Sequence, residues 1–250
     1  MSLPGSENRL IYRLYCLAWT ALDWLFPPRC ASCEQPGERW CVHCQHQVQV
    51  LTDRVCTRCG QPMGERGLCR SCRTTPPPMM AIRSWGVFNG TLRAALLRLK
   101  YKGDLAMGEV LARPMIQILN KISWPIDFVV PVPSGIARQR ERGYNQAALL
   151  ARPLALATGL SYRPQALVKV RETRSQVGLT ARERQSNVAE AFQAQPRLVE
   201  GRRVLVVDDV TTSGATLDAC GEALLTGGAL EVYGLTLARA DPRSDLSGNL

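Results

Sequence analysis

The chain has no apolar run long enough to cross a bilayer. Its most apolar stretch, residues 10–26, is preceded by Arg9 and broken by Arg13 and Asp23, which argues against a spanning helix. No small-residue cleavage pattern follows it, so a secretory signal is not expected either. Aromatic residues make up only 6% of the 250 residues, with no aromatic-rich recognition surface and no helix-turn-helix pattern. Any contact with nucleic acid would therefore be to the backbone or to single strands. Lysine is scarce, with 4 against 27 arginines. That bias suits bidentate phosphate recognition, and a GC-rich genome produces it equally well. Residues 29–73 hold little apolar material and cannot order themselves without cross-links or metal.

What that segment holds instead is cysteine. Eight of the ten cysteines lie in four pairs, Cys30/Cys33, Cys41/Cys44, Cys56/Cys59 and Cys69/Cys72, each a Cys-x-x-Cys turn whose two thiolates can reach one tetrahedral ion. Eight thiolates make two four-cysteine sites for structural zinc, since a full thiolate shell leaves no open position for chemistry. Sequential pairing (30/33/41/44 and 56/59/69/72) and interleaved pairing both satisfy the spacing. His43 and His46 are read as ordinary knuckle residues, and Cys16 and Cys220 as small buried side chains on helices. Paired cysteines of this kind point to a reducing compartment, the cytoplasm. The formal charge of +10 falls to about +6 once two Zn²⁺ and eight thiolates are counted, still basic.

Composition divides the chain into an amphipathic N-terminal helix within residues 1–28, a double zinc ribbon at 29–73, a proline-rich linker at 74–80, an α/β domain at 81–240 and a tail at 241–250. The helix would pack on the metal module or lie on a membrane surface; the pattern allows both. Beyond the linker, strands are expected at 84–88, 128–130, 166–170, 203–207 and 230–237. Helices are expected at 91–101, 107–121, 145–157 and 215–226. Alternating strands and helices predict a parallel sheet flanked by helices on both faces. A basic loop follows the strand at 128–130, and a polar stretch at 171–190 breaks the rhythm.

The most informative run begins at the buried strand Val204-Leu205-Val206-Val207, which delivers Asp208 and Asp209 to the carboxyl end of the sheet, where open α/β folds bind ligands. Thr211, Thr212, Ser213, Gly214, Ala215 and Thr216 follow at a helix start, a cradle of N–H and hydroxyl donors for a phosphate. Carboxylates repel phosphate, so the two acids suit a sugar diol or Mg²⁺. A phosphate beside a diol suggests a ribose 5-phosphate.

Residues 204–217 resemble the phosphoribosyl pyrophosphate (PRPP) signature of type I phosphoribosyltransferases, and residues from about 25 to 240 are similar to the ComF/GntX family. Further support comes from Val130-Pro131-Val132-Pro133, Arg138, Arg140, Arg142-Gly143-Tyr144-Asn145-Gln146, Gln176, Leu179, Arg184, Asn187 and Ala191-Phe192. The resemblance implies a type I phosphoribosyltransferase-like fold with a zinc ribbon. It implies that Asp208 and Asp209 face the ribose, that the loop from Thr211 to Thr216 holds the 5-phosphate, and that Pro133, Ser134 and Gly135 hold pyrophosphate. From the residues alone, Arg138, Arg140 and Arg142 provide donors near a second anion, and Arg171, Arg174, Arg182 and Arg184 form a basic flap at the position of the family's mobile loop, with Lys100 reaching in from its helix. PRPP with Mg²⁺ would be the ligand, and no side chain offers itself as a nucleophile. The family name links the chain to uptake or use of exogenous DNA, so single-stranded DNA, DNA-derived bases or nucleotides and competence-machinery proteins are implied partners. The readings are a transferase, a DNA-handling accessory protein and a silent PRPP sensor.

Overall fold

The computed structural model describes residues 4–51, 54–171 and 190–240. Gln176, Leu179, Arg174, Arg182, Arg184 and Asn187, expected on the flap, lie outside the described residues, as does the tail at 241–250. Among the described residues no helix is long and apolar enough to cross a membrane.

A five-stranded, all-parallel sheet forms the centre. Its strands are β1 (Ala81–Val87), β2 (Phe128–Pro131), β3 (Ser161–Tyr162), β6 (Arg203–Thr211) and β7 (Glu231–Arg239), in the order β1-β7-β6-β2-β3. Strands β2, β6 and β7 are almost wholly buried, as parallel strands covered on both faces must be. One face carries α4 (Gly90–Tyr101), α5 (Met107–Lys121) and α7 (Gln146–Thr158), through Leu92, Leu96, Leu99, Leu111, Met115, Leu150 and Leu154. The other carries α9 (Ala215–Thr226), through Leu217, Cys220 and Leu224 against Val204 and Val206. Helix α7 starts where the Asn145 side chain accepts from the Ala147 N–H at 3.0 Å, an N-cap. It stops at Gly159, whose φ of +76° favours glycine.

Three expectations are corrected. The basic loop after β2 contains a helix, α6 (Ile136–Arg142). It has no apolar stripe to betray it, because Ile136 is its lone large apolar residue, and Gly143 at φ +80° ends it. The strand expected at 166–170 shortens to β4 (Leu167–Lys169). It leaves the main sheet to pair antiparallel with β5 (Phe192–Ala194), because Ala166, Leu167, Ala191 and Ala194 bury themselves against the α9 side of the core. Strand β6 runs past Val207 to Thr211, since Asp208 pairs with Thr236 and Thr211 with Arg239 in the β7 ladder. The remaining α-helices among the described residues are short: α2 (Val42–His46), α3 (Arg70–Thr74) and α8 (Pro196–Val199).

The cysteine segment lies along the free edge of β1. Ile82 donates its N–H to Arg58 O at 2.6 Å, Val87 to Gln49 O at 2.9 Å, and Leu51 to Trp85 O at 2.8 Å. An exposed edge strand invites pairing with other chains, and the ribbon removes that edge. Gly60 permits the approach: a Cβ there would stand 2.5 Å from Ile82 O, and its φ is +72°. Trp40, Cys30, Cys44 and Val48 join the same apolar cluster as Leu92 and Leu96. Helix α1 (Pro4–Leu25) meets both parts of the molecule. Asp23 and Trp19 contact Arg39 of the ribbon, and Tyr12 donates to Glu109 of α5. Leu10, Leu14, Leu17, Trp24 and Leu25 face outward. Cys220 is buried as expected, whereas Cys16 is half-buried and donates to Glu109.

Candidate functional site

The four cysteine pairs close sequentially. Cys30, Cys33, Cys41 and Cys44 form one group and Cys56, Cys59, Cys69 and Cys72 the other, with the sulfur atoms of each within 4.8 Å of one another. The distances fit zinc. Cys33 and Cys41 sulfurs stand 3.6 Å apart, Cys59 and Cys69 sulfurs 3.7 Å, close to the tetrahedron edge of about 3.8 Å that a Zn–S bond of about 2.3 Å requires. Backbone N–H groups already point at the sulfurs, from Cys41 to Cys30 at 3.5 Å and from Cys69 to Cys56 at 3.3 Å. Burial works against the Cys30 and Cys56 thiolates, yet backbone N–H donors, of Cys33, Cys41 and Ser32 at Cys30 and of Cys69, Cys59 and Arg58 at Cys56, outweigh it and hold both thiols down to about 6. These are two structural four-cysteine zinc sites of a double ribbon, and His43 and His46 stay outside them.

The second site of interest lies at the carboxyl ends of β2 and β6. Asp208 and Asp209 sit on the last rungs of the β6 ladder, one half-buried and one buried, so they are held by strand pairing and not by a loop. Asp208 accepts from the Asp209 N–H at 2.8 Å, and Asp209 accepts from the Val210 N–H at 2.7 Å. Lys100, at the end of α4, places its ammonium 2.8 Å from Asp209. Burial pulls the Lys100 pKa down, but the charge and hydrogen bond of Asp209, with Asp208 behind it, leave it raised. Thr211 closes the strand, and the cradle proper is Thr212, Ser213, Gly214, Ala215 and Thr216. Gly214, at φ +91°, caps α9, which turns the first N–H groups of a 12-residue helix outward.

The turn after β2 runs beside this cradle. Pro131 pairs with Val207, Val132 donates to Val207 O at 2.9 Å, and Asn145 Nδ2 holds Val132 O at 3.0 Å. Pro133 and Ser134 are half-buried and Gly135 is buried. Ser134 Oγ and Gln146 Nε2 are buried with no hydrogen-bond partner among the described residues. Buried polar groups are nearly always paired, so unpaired donors beside a glycine turn fit an anionic ligand. Arg142 stacks over Tyr101 at 4.9 Å with its Nε also unpartnered among the described residues. Arg140 is exposed on α6. The Arg138 side chain and all of Arg184 lie outside what is described.

Two residues not singled out from the sequence border the cradle. Asp218, one turn into α9, has an Oδ1 with no partner among the described residues. Burial first, and then Glu222, push its carboxyl up to about 6, against the pull of Arg239. Arg239 ends β7 and donates from its buried guanidinium to Cys59 O and, at 3.5 Å, to Thr212 O. Their sequence context, a helix first turn and a strand end, carries no signal of either role.

A family model described as a double zinc ribbon domain matches residues 21–73, and one described as a phosphoribosyl transferase domain matches residues 103–245. The chain is 32% identical over 223 residues to the DNA utilization protein YhgH of Salmonella typhi, covering 85% of this chain and 97% of that protein. It is 30% identical over 215 residues to competence protein ComFC of Bacillus subtilis, covering 82% and 86%. A solved structure of the allosteric regulatory enzyme of purine biosynthesis aligns with 52% of this chain and 26% of its own at 25% identity, with a TM-score of 0.37.

Proposed function

Because the chain belongs to the ComF-type family that joins a double zinc ribbon to a phosphoribosyltransferase domain, we propose that it binds PRPP with Mg²⁺ and transfers phosphoribose to a nitrogen acceptor. The 5-phosphate sits on Thr212–Thr216 and the ribose hydroxyls meet Asp208. Pyrophosphate lies on Pro133, Ser134 and Gly135, with Arg142 alongside and Arg138 and Arg184 as further donors. One observation carries this reading. The cradle and the turn with unpaired donors hang from hydrogen-bonded neighbours, β6 and β2, with the two acids beside them and one acid neutralised by Lys100.

In the reaction the C1–O bond to pyrophosphate breaks while a C1–N bond to the acceptor forms. The bonding pair leaves with pyrophosphate, and the acceptor nitrogen loses its proton to solvent. Magnesium bound with PRPP would neutralise part of the leaving charge. The protein's share is positioning and electrostatics: Ser134 and Arg142 toward the departing oxygens, Asp208 toward the cationic sugar, and Lys100 keeping Asp209 from adding a second uncompensated negative charge. Titration calorimetry of PRPP with Mg²⁺ into zinc-loaded protein tests this. Wild type binds and the Asp208→Asn, Asp209→Asn double variant does not; if neither binds, the reading is wrong.

A second reading rests on the relatives' names, DNA utilization and competence, and on the basic net charge of the chain. It makes the protein a DNA-handling accessory in the cytoplasm, touching single-stranded DNA and competence-machinery proteins. Salt-sensitive binding of single strands that survives the double Asp→Asn change supports it. Acceptor-dependent pyrophosphate release supports the transferase, and PRPP binding without turnover supports a sensor. DNA-derived bases as acceptors would join the first two.

A further inference from the structure

Arg239, 180 residues beyond Cys59 in the sequence, connects the second cysteine site to the phosphate cradle. It is the last residue of β7, in register with Thr211 on one side and Val87 on the other, and it is only 7% exposed. One terminal nitrogen donates to the carbonyl of Cys59, a ligand residue of the second cysteine site; the other donates to the carbonyl of Thr212, the first residue of the phosphate cradle. Its Nε has no partner among the described residues. A buried guanidinium is tolerated only where negative charge compensates it. A zinc tetrathiolate carries a net charge of about −2 on the Cys59 side, and Asp218 and a bound phosphate supply charge on the cradle side. The planar fork of arginine spans both carbonyls at once, which a lysine ammonium cannot reproduce.

We propose that Arg239 is a positioning residue that makes the order of the phosphate cradle depend on metal at Cys56, Cys59, Cys69 and Cys72. With metal bound, the Cys59 carbonyl is fixed, the guanidinium is fixed against it, and the Thr212 carbonyl is held in the cradle geometry. Without metal the knuckle loosens and the cradle loses that tie. By linkage, a polyanion in the cradle and zinc in the second site strengthen each other. The polyanion arm of this inference rests on the PRPP reading above; the structural arm does not.

Hydrogen exchange of the full-length, zinc-loaded chain, followed by mass spectrometry over residues 208–216, tests the structural arm. Cys72→Ser, which empties the second site, is expected to speed cradle exchange about tenfold, a change typical of coupled sites. Arg239→Lys is expected to exchange fast with two zincs still bound, and adding Cys72→Ser to it changes nothing further. Cys33→Ser, at the first site, leaves the cradle unaffected. Cradle exchange indifferent to Cys72→Ser overturns the proposal. So does an equal response with Arg239→Lys present, or an equal response to Cys33→Ser, because each means that the ribbon acts by general loosening. In a second arm, PRPP slows zinc transfer from the second site to a chromogenic chelator in wild type and not in Arg239→Lys; equal slowing in both overturns the coupling. If wild type does not bind PRPP at all, the functional reading fails while the exchange arm still decides the role of Arg239.

Discussion

Replacing Asp218 by asparagine should stabilise the protein near neutral pH, an unusual outcome for a change beside a binding loop. The carboxylate sits within the first turn of α9, where the helix dipole favours an anion. Its backbone N–H donates to Gly214 O at 2.9 Å, but its Oδ1 finds no donor among the described residues. Burial, and the like charge of Glu222 four residues on, overcome the dipole and the pull of Arg239, and raise the carboxyl from 3.8 to about 6. A pKa displaced by one pH unit corresponds to about 1.4 kcal/mol, so an ionised Asp218 costs the folded state about 3 kcal/mol at most. The sign follows from proton counting. Below the unfolded value both states are protonated and nothing is lost. Between that value and about 6 the folded state holds the extra proton, so stability falls as pH rises; above about 6 the whole penalty is present.

Asparagine has the same shape and no charge. Urea denaturation of zinc-matched wild type and Asp218→Asn from pH 5 to 8 should therefore show a difference in favour of the variant that is already about half its full size at pH 5 and grows to about 3 kcal/mol at most by pH 7.5. A phosphate in the cradle adds negative charge nearby and raises the carboxyl further. Wild type should then take up protons on binding PRPP near pH 6.5, seen as a buffer-dependent calorimetric enthalpy, and the variant should not. A variant less stable than wild type at pH 7.5, or a difference that does not change with pH, refutes this account of Asp218.

Three further outcomes follow from other contacts. Lys100→Met leaves the buried Asp209 without its cation and should cost about 3 kcal/mol in urea denaturation, while adding Asp209→Asn recovers most of it. Metal analysis should return two zincs per chain. Cys30→Ser and Cys56→Ser should each reduce that to one, with a thermal shift larger for Cys30→Ser because its site joins the main apolar cluster. Gly60→Ala forces a Cβ against Ile82 O at a φ of +72° and should destabilise by about 2 kcal/mol or more, with faster amide exchange along β1.

What the chain discloses of itself depends on how local each feature is. The knuckles are read from spacing because both ligands of a pair come from one turn, yet the pairing of knuckles is not, since sequential and interleaved sites use identical turns. It is decided by bridges within each arm, Arg29 to Pro36 and Val55 to Pro62. Helices α4, α5 and α9 are legible because an apolar stripe repeats along them, whereas α6 is polar on nearly every side and is invisible by the same measure. The acids and the cradle are contiguous, so their order alone places them, but β6 extends to Thr211 only because β7 supplies partners that far. Asp218 and Arg239 are ordinary residues in sequence, and Gln146 is marked there only by the family resemblance. Their significance arises from what they lack or reach: an unpaired amide, an unpaired carboxylate oxygen, and a guanidinium between a cysteine carbonyl and a threonine carbonyl.

The same distinction explains why composition divides the chain where the packing does not. Residues 29–73 are poor in apolar side chains, so they read as a separate metal-dependent unit. Some of the few they have, Trp40 and Val48 with Cys30 and Cys44, are spent on the cluster beneath α4, and their backbone closes the β1 edge. A metal module used this way substitutes for a further strand at the sheet edge. Its folding free energy is thereby delivered to β1 and β7, and through the end of β7 to the loop where phosphate would lie.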